Sequence, residues 1–380
     1  MATPSSSRSG ADRCPGLLTP FVSADGAMVR LRVPGGRVAA STLAEICSLA
    51  GTFGDPDVTV TSRGSLQLRG LPDPLPRELI TAIGDLGLVP SGEHDKARNI
   101  VADPDPALDD LVAALDAALL ADPGLAQLPG RFLLAVAGPG GPVLGEPWDV
   151  AIVDEGSTAR VLVDGRSVVV DRADAAQAAL DVARRFLATR PDARTWNVRD
   201  LSPEARVDLL PGGTVVVVEA GAPPVAGPVG EDLVALLPLG LLTPRMAQAL
   251  VASRGSSQSS SHLDERGETT MRLTPWRSVV LPGGAIQAAE LETAGFVTRP
   301  DSPWTILTAC AGAPACARTS TPTRDLAREA APLLDPAGPP VHVIGCERAC
   351  GHPARPHTTS LTPSSVADIV AAQRSPLRKA

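Results

Sequence analysis

A chain of 380 residues, 44% hydrophobic and 20% charged, can bury a large core and hold two or more packed units. Its formal charge of −8 argues against a general nucleic-acid or anionic-membrane role. No apolar run reaches membrane-spanning length; the best candidate, 234–242, is short and contains Pro238.

Met1 to Arg13 is rich in Ser and small residues and lacks an apolar signal core, so 1–27 is expected to be a disordered lead-in to a cytoplasmic protein. Residues 28–95 read as a small α+β unit: the turn Pro34-Gly-Gly36, a helix over Ser41 to Leu49, then alternating strand residues over Val58 to Leu68. Residues 96–227 form a larger unit, with helices predicted at 106–121 and 172–188 and strands at 131–137, 159–163, 167–170 and 214–219. Residues 228–300 repeat the first pattern. Pro238-Leu-Gly240 precedes a helix over 244–252, and Met271 to Leu281 answers Val58 to Leu68. Thr61, Arg63 and Ser65 have counterparts in Thr274, Arg277 and Ser278, while Arg254 to Glu268 reads as an exposed Ser-rich insert. The last unit, 301–380, carries a strand over Trp304 to Thr308, a helix over Thr323 to Leu334 and a strand over Val341 to Ile344. Beyond His357 the stretch Thr358 to Ala380 is short and polar for a closing strand region, so a trimmed final unit is expected.

Four of the six cysteines carry the chemistry. Cys310 and Cys316 form a C-x5-C pair, and Cys346 and Cys350 a C-x3-C pair. Each pair directly follows a predicted strand, and Ala311-Gly-Ala-Pro-Ala315 lets the first loop wrap closely. Cys346 and Cys350, four apart, would face one way on a helical turn. Four soft thiolates suit the corners of a 4Fe-4S cubane; both spacings are wider than usual zinc knuckles, which leaves zinc or unligated thiols as the bland alternatives. Cys14 and Cys47 read as packing residues of a reduced compartment. Tyr is absent, aromatics make up 2% and the only lysines are Lys96 and Lys379, which limits what could supply an ammonium to a site.

The chain resembles the nitrite/sulfite reductase (sirohaem and 4Fe-4S) superfamily over about 14–357, and within it the precorrin-3B synthase branch. The segments are Asp25-Gly26, Val29-Arg-Leu-Arg-Val-Pro-Gly-Gly36, Thr61-Ser-Arg63, Gln67-Leu-Arg69, Arg98-Asn99 and Leu128-Pro-Gly-Arg-Phe132. Leu273-Thr-Pro-Trp-Arg-Ser278, Cys310 to Cys316 and Val341 to Pro353 follow, and these last three are the most specific. The resemblance implies an α+β fold with a pseudo-twofold duplication: two ferredoxin-like half-domains, 28–95 and 228–300, and two larger α/β units, 96–227 and 301–380. It also implies Cys310, Cys316, Cys346 and Cys350 as ligands of a 4Fe-4S cluster. Where reductases place Pro-Asn after the third cysteine, this chain has Glu347-Arg348. Where they use two lysines to hold a small anion, it has Arg131 and Leu133, with Lys96 as the only other ammonium outside Lys379.

The precorrin branch implies a monooxygenase that hydroxylates precorrin-3A at C-20, with γ-lactone closure, on the aerobic route to cobalamin. It would use dioxygen, electrons from NADH through a partner reductase, and a non-haem iron whose ligands the sequence does not place; no glycine fingerprint for the nicotinamide stands out. A polyacidic tetrapyrrole calls for shielded arginines, so Arg63, Arg69, Arg98, Arg131 and Arg277 are the expected carboxylate partners, with Asn99 and Gln67 as polar contacts. His342 and His352 read as packing histidines near the cluster rather than iron ligands. The rivals are a sirohaem-dependent sulfite or nitrite reductase and a non-catalytic tetrapyrrole-binding iron–sulfur protein.

Overall fold

Buried and half-buried residues alternate along Gly26–Leu31, the signature of a strand with one face on the core. It belongs to the first of two related five-stranded sheets in a computed structural model that describes residues 12–253 and 270–377. In space that sheet runs Phe21–Ser23, Gly26–Leu31, Leu66–Leu71, Val58–Val60, Leu241–Leu242. The second runs Gly227–Val229, Asp232–Leu236, Ser278–Leu281, Thr270–Leu273, Arg37–Ala39. Each sheet is therefore closed by a short strand from the other repeat, Leu241 pairing with Thr59 and Val38 with Met271. The exchange covers an edge that would otherwise be left open in each sheet.

The turns before the exchanged strands explain the crossing. Pro34–Gly36 and Pro238–Gly240 are matching 3-10 turns, with Gly35 and Leu239 at φ 63 and 56 and Gly36 and Gly240 at φ 75 and 73. After each exchanged strand comes a helix, Ala40–Phe53 and Pro244–Ala252, and the two helices pack together. Thr243 caps the second helix by accepting from Met246 N at 3.2 Å, with Pro244 at its first position. Leu43, Ile46 and Cys47 on one helix and Met246 and Leu250 on the other are all buried; each large aliphatic chain so buried contributes about 1.5–3 kcal/mol. Cys47 is a packing thiol, pushed up to about 12 by burial and then by Asp57.

The chain divides into two units. One holds the described residues up to Phe21, Leu31–Gly35 and Gly87–Pro223; the other holds Val22–Arg30, Gly36–Leu86 and the described residues from Pro224 onward. The first unit is built on a six-stranded sheet in the order Thr214–Val215, Arg166–Asp171, Thr158–Val163, Val150–Asp154, Leu134–Ala137, Ile100–Ala102. Its last three strands are parallel and the others antiparallel. Helices Asp109–Leu120 and Ala175–Thr189 cover it, with Phe132 and Phe186 4.8 Å apart in the core. The second unit carries both exchanged sheets and a parallel three-stranded sheet of Leu307–Ala309, Val341–Ile344 and Thr358–Leu361, with helices Thr323–Ala330 and Val366–Gln373 beside it.

Several expectations need correction. Thr358–Leu361 pairs in parallel with Val341–Ile344 as a third strand; its buried Thr358 and Ser360 fill the core face despite their polarity. The lead-in ends well before residue 27. Cys14 and Leu17 are buried, Leu17 N donates to Asp95 at 2.6 Å, and strand begins at Phe21. The 304–308 strand starts at Leu307 because Ser302 caps a 3-10 turn over Pro303–Ile306, and 214–219 keeps only Thr214–Val215 as strand. The 234–242 apolar run becomes strand, turn and exchanged strand, and no helix among the described residues is long and apolar enough to cross a membrane. Met1 to Ala11, the insert from Arg254 and Lys379 lie outside the described residues.

The crossing turns set a test. A Cβ on Gly36 would lie 2.0 Å from the Leu273 carbonyl oxygen at positive φ, whereas Gly230, also at positive φ, faces open space. Gly36→Ala should lower stability by about 3 kcal/mol or more and Gly230→Ala by about 1 kcal/mol in urea unfolding. Equal effects would contradict the reading of the exchanged edge.

Candidate functional site

Cys310 extends the Leu307–Ala309 strand by one residue, its N–H donating to the Val343 carbonyl at 2.9 Å, and Cys346 lies two residues past Val341–Ile344. The two loops thus leave the same, C-terminal edge of a parallel sheet, the place where such sheets gather functional groups. Cys310 Sγ accepts from Gly345 N at 3.4 Å, and Thr323 Oγ1 donates to the Cys310 carbonyl at 2.8 Å from the first turn of the Thr323–Ala330 helix. Gly312 is required here: at φ 65, a Cβ would meet Thr323 Oγ1 at 2.3 Å. Cys346 and Cys350 lie on a turn rather than a helix, with Ala349 N donating to Cys346 O at 3.2 Å and Ala349 at φ 46.

All four thiols are free; three are half-buried and Cys350 is exposed at the rim. Neighbouring protein still desolvates the Cys350 thiol and pushes its pKa up. Arg348 pulls it down, and Cys310, Cys346 and Cys316 push it up further, so the four sulfurs stand in one another's field. Among the described residues no three His, Cys, Asp or Glu groups are close enough to ligate a single ion. The donor set fits a cubane on two counts: four soft thiols on two loops that share one sheet edge, and a backbone N–H already directed at the Cys310 sulfur. Behind it His342 is fully buried, shares a hydrogen bond with Thr308 Oγ1 at 2.8 Å and is pushed down to about 3 by burial, Arg277, His357 and His352. It packs edge-on against His357, which stacks on His352.

The arginines expected to hold carboxylates separate into classes. Arg69 is buried and grips both Asp25 oxygens at 2.9 and 3.1 Å while Nη2 donates to the Ala315 carbonyl at 2.6 Å. Arg98 is buried and forks onto Asp116 at 2.8 and 2.6 Å, with Nη1 on the Leu88 carbonyl at 2.8 Å. Asn99 is pinned by the Gly130 and Phe132 carbonyls at 3.1 and 3.2 Å, and Gln67 accepts from Arg30 at 3.1 Å. These side chains are spent inside the protein. Arg277 is buried too, at φ 59, with Nη2 on the Gly351 carbonyl. Arg63 is half-buried in the turn after Val58–Val60. Arg131 is 40% exposed along its side chain, 3.3 Å from Asp12 and over the Trp196 ring. Neighbouring Leu133 is buried, its N–H on Asp149 at 2.8 Å.

The turns also correct the repeat alignment. Thr61 N donates to Ser65 O and Thr274 N to Ser278 O, both at 2.9 Å, which superposes Gly64 (φ 63) on Arg277 (φ 59) and Arg63 on Trp276. Matching arginine types paired the wrong positions. Sequence reasoning also missed Thr323 and Arg324. Arg324 donates to Thr59 Oγ1 at 3.2 Å, and burial and then Arg69 push its pKa down. Their place at a predicted helix start was the available signal.

Residues 22–75 match the family described as the nitrite/sulfite reductase ferredoxin-like half domain. The solved structure of the Mycobacterium tuberculosis NirA protein superposes on 88% of this chain and 70% of that one with a TM-score of 0.62 at 16% identity, a likeness of fold. The chain has the nitrite/sulfite reductase fold, and its residues 22–75 match the half domain named for it. Along its length it resembles a precorrin-3B synthase from Sinorhizobium sp, 28% identical over 395 aligned residues that cover 95% of this chain and 81% of that protein.

A double-mutant cycle separates structure from recognition at Arg98. Arg98→Ala should cost about 3 kcal/mol of stability by leaving Asp116 shielded and unpaired, and Asp116→Ala in the same chain should recover part of it. Unchanged stability on Arg98→Ala would return Arg98 to the ligand-binding candidates.

Proposed function

We propose that the protein is an iron–sulfur oxidoreductase acting on a precorrin, most closely a precorrin-3B synthase-like monooxygenase. The observation that carries this is the likeness to precorrin-3B synthase along 95% of the chain, in which the four cysteines fall on one sheet edge. Cys310, Cys316, Cys346 and Cys350 would hold a 4Fe-4S cluster, which supplies one-electron transfer when bound. The overall reaction places one oxygen atom of dioxygen on C-20 of precorrin-3A. The other leaves as water with two electrons, ultimately from NADH through a separate reductase, and two protons; closure of the γ-lactone follows. Soft thiolates, a buried neutral His342 and loop amides suit electron transfer rather than proton relay at this edge.

Of the expected carboxylate partners, Arg131 keeps a side chain that is 40% exposed, and a substrate carboxylate is assigned to it. Arg98 and Asn99, held by Asp116 and by the Gly130 and Phe132 carbonyls, serve the architecture instead. The reductase reading is favoured by the fold likeness to NirA and opposed by Leu133, which is buried where the reductase resemblance calls for an anion-binding lysine.

The test is single-turnover chemistry on anaerobically purified protein reduced and then exposed to dioxygen with precorrin-3A. One added oxygen atom, labelled from ¹⁸O₂ and lost in Cys310→Ser together with the cluster absorption, is the expected result. Consumption of sulfite or nitrite with sirohaem bands, and no labelled product, would replace the proposal with the reductase reading.

A further inference from the structure

Two cysteine loops meet at the candidate cluster site, and each receives a buried guanidinium from a different exchanged sheet. On the first, Arg69 from Leu66–Leu71 donates Nη2 to the Ala315 carbonyl, the residue before Cys316, at 2.6 Å. Ser23 Oγ donates to the same oxygen at 2.9 Å, and Asp25 fixes the guanidinium through Nε and Nη2. On the second, Arg277 from the turn before Ser278–Leu281 donates Nη2 to the Gly351 carbonyl, the residue after Cys350. Arg277 occupies the left-handed region that Gly64 takes in the other repeat. A non-glycine residue there costs about 1–2 kcal/mol, and a positive φ of this kind concentrates at functional positions.

We propose that Arg69 and Arg277 are positioning residues for the cluster, a pair of clamps, one from each half of the duplication, that hold the Cys316 and Cys350 loops and place positive charge beside the thiolates. The inference rests on the iron–sulfur reading above and assigns these arginines to the cofactor rather than to substrate carboxylates. Charge-assisted bonds to loop carbonyls favour the ligand-competent loop conformation. The adjacent cations favour the more negative, reduced state of a thiolate-bound cluster. Fold duplication then has a chemical use: each repeat governs one cysteine pair.

The test uses full-length protein reconstituted anaerobically with iron and sulfide. Arg277→Gly removes the second clamp while giving the turn the residue that Gly64 already supplies. Arg69→Gln removes the first, and Arg69→Gln with Asp25→Asn does so without stranding a carboxylate. Each folded variant should release iron to a chelator about tenfold faster than the parent; the cluster midpoint potential should move negative in Arg277→Gly and Arg69→Gln and stay near the parent's in Arg69→Gln with Asp25→Asn, where a carboxylate leaves with the guanidinium. Arg69→Lys and Arg277→Lys should recover the potential more fully than the release rate, because charge returns while the planar fork does not. A role confined to the fold would lower the melting temperature and leave the potential in place in both single variants, which would overturn the inference. Parent-like release and potential in both folded variants would overturn it as well, with the cluster assignment intact. Failure of the parent to take up iron and sulfide would remove the cluster assignment itself and the clamps with it.

Discussion

Neighbouring parallel strands must release the chain at the same edge, and in this protein that geometry brings together loops separated by a whole helix. Leu307–Ala309 and Val341–Ile344 pair with Leu307 opposite Val341 and Ala309 opposite Val343. The next residue on one strand is Cys310, and the next but one on the other is Cys346. Antiparallel pairing would have sent the two cysteine pairs to opposite ends. The helix Thr323–Ala330 makes the crossover, and Ala327 and Ala330 are small enough for it to lie against the strands. Everything proposed about cofactor and reaction depends on this shared edge.

Around it the duplicated sheets act as a frame. Exchanging an edge strand locks each repeat to the other, so neither half folds its sheet to completion alone. The buried arginines extend the same logic to side chains. A guanidinium inside a protein is tolerable only when its donors are met, and Asp25 with the Ala315 carbonyl, or Asp116 with the Leu88 carbonyl, meets them. That satisfaction is what removes Arg69 and Arg98 from the set available to a polyacidic ligand.

Much of the plan was readable from residues. Val341–Ile344 is four consecutive buried residues, and such a run bounded by turn residues reads directly as an internal strand. The repeat was readable because element order and turn chemistry recur, and the cysteine pairs could be placed at strand ends. Other features left no one-dimensional trace. The exchanged strands Arg37–Ala39 and Leu241–Leu242 are too short to show alternation. Arginine partners were hidden because Asp25 and Asp116 lie 44 and 18 residues from the arginines they hold. Arg63 was matched to Arg277 by residue type, whereas the backbone matches the position that needs positive φ. The polarity of Thr358–Leu361 hides a strand whose hydroxyls are satisfied only in the folded state: Thr358 donates to the Pro340 carbonyl at 3.2 Å.

Metal-edge X-ray absorption on anaerobically isolated protein tests the central claim most directly. The account predicts iron in all-sulfur coordination with iron neighbours, a spectrum that collapses when Cys310 or Cys350 becomes serine. Zinc in place of iron, or mononuclear iron with nitrogen and oxygen ligands and no iron neighbour, would contradict it.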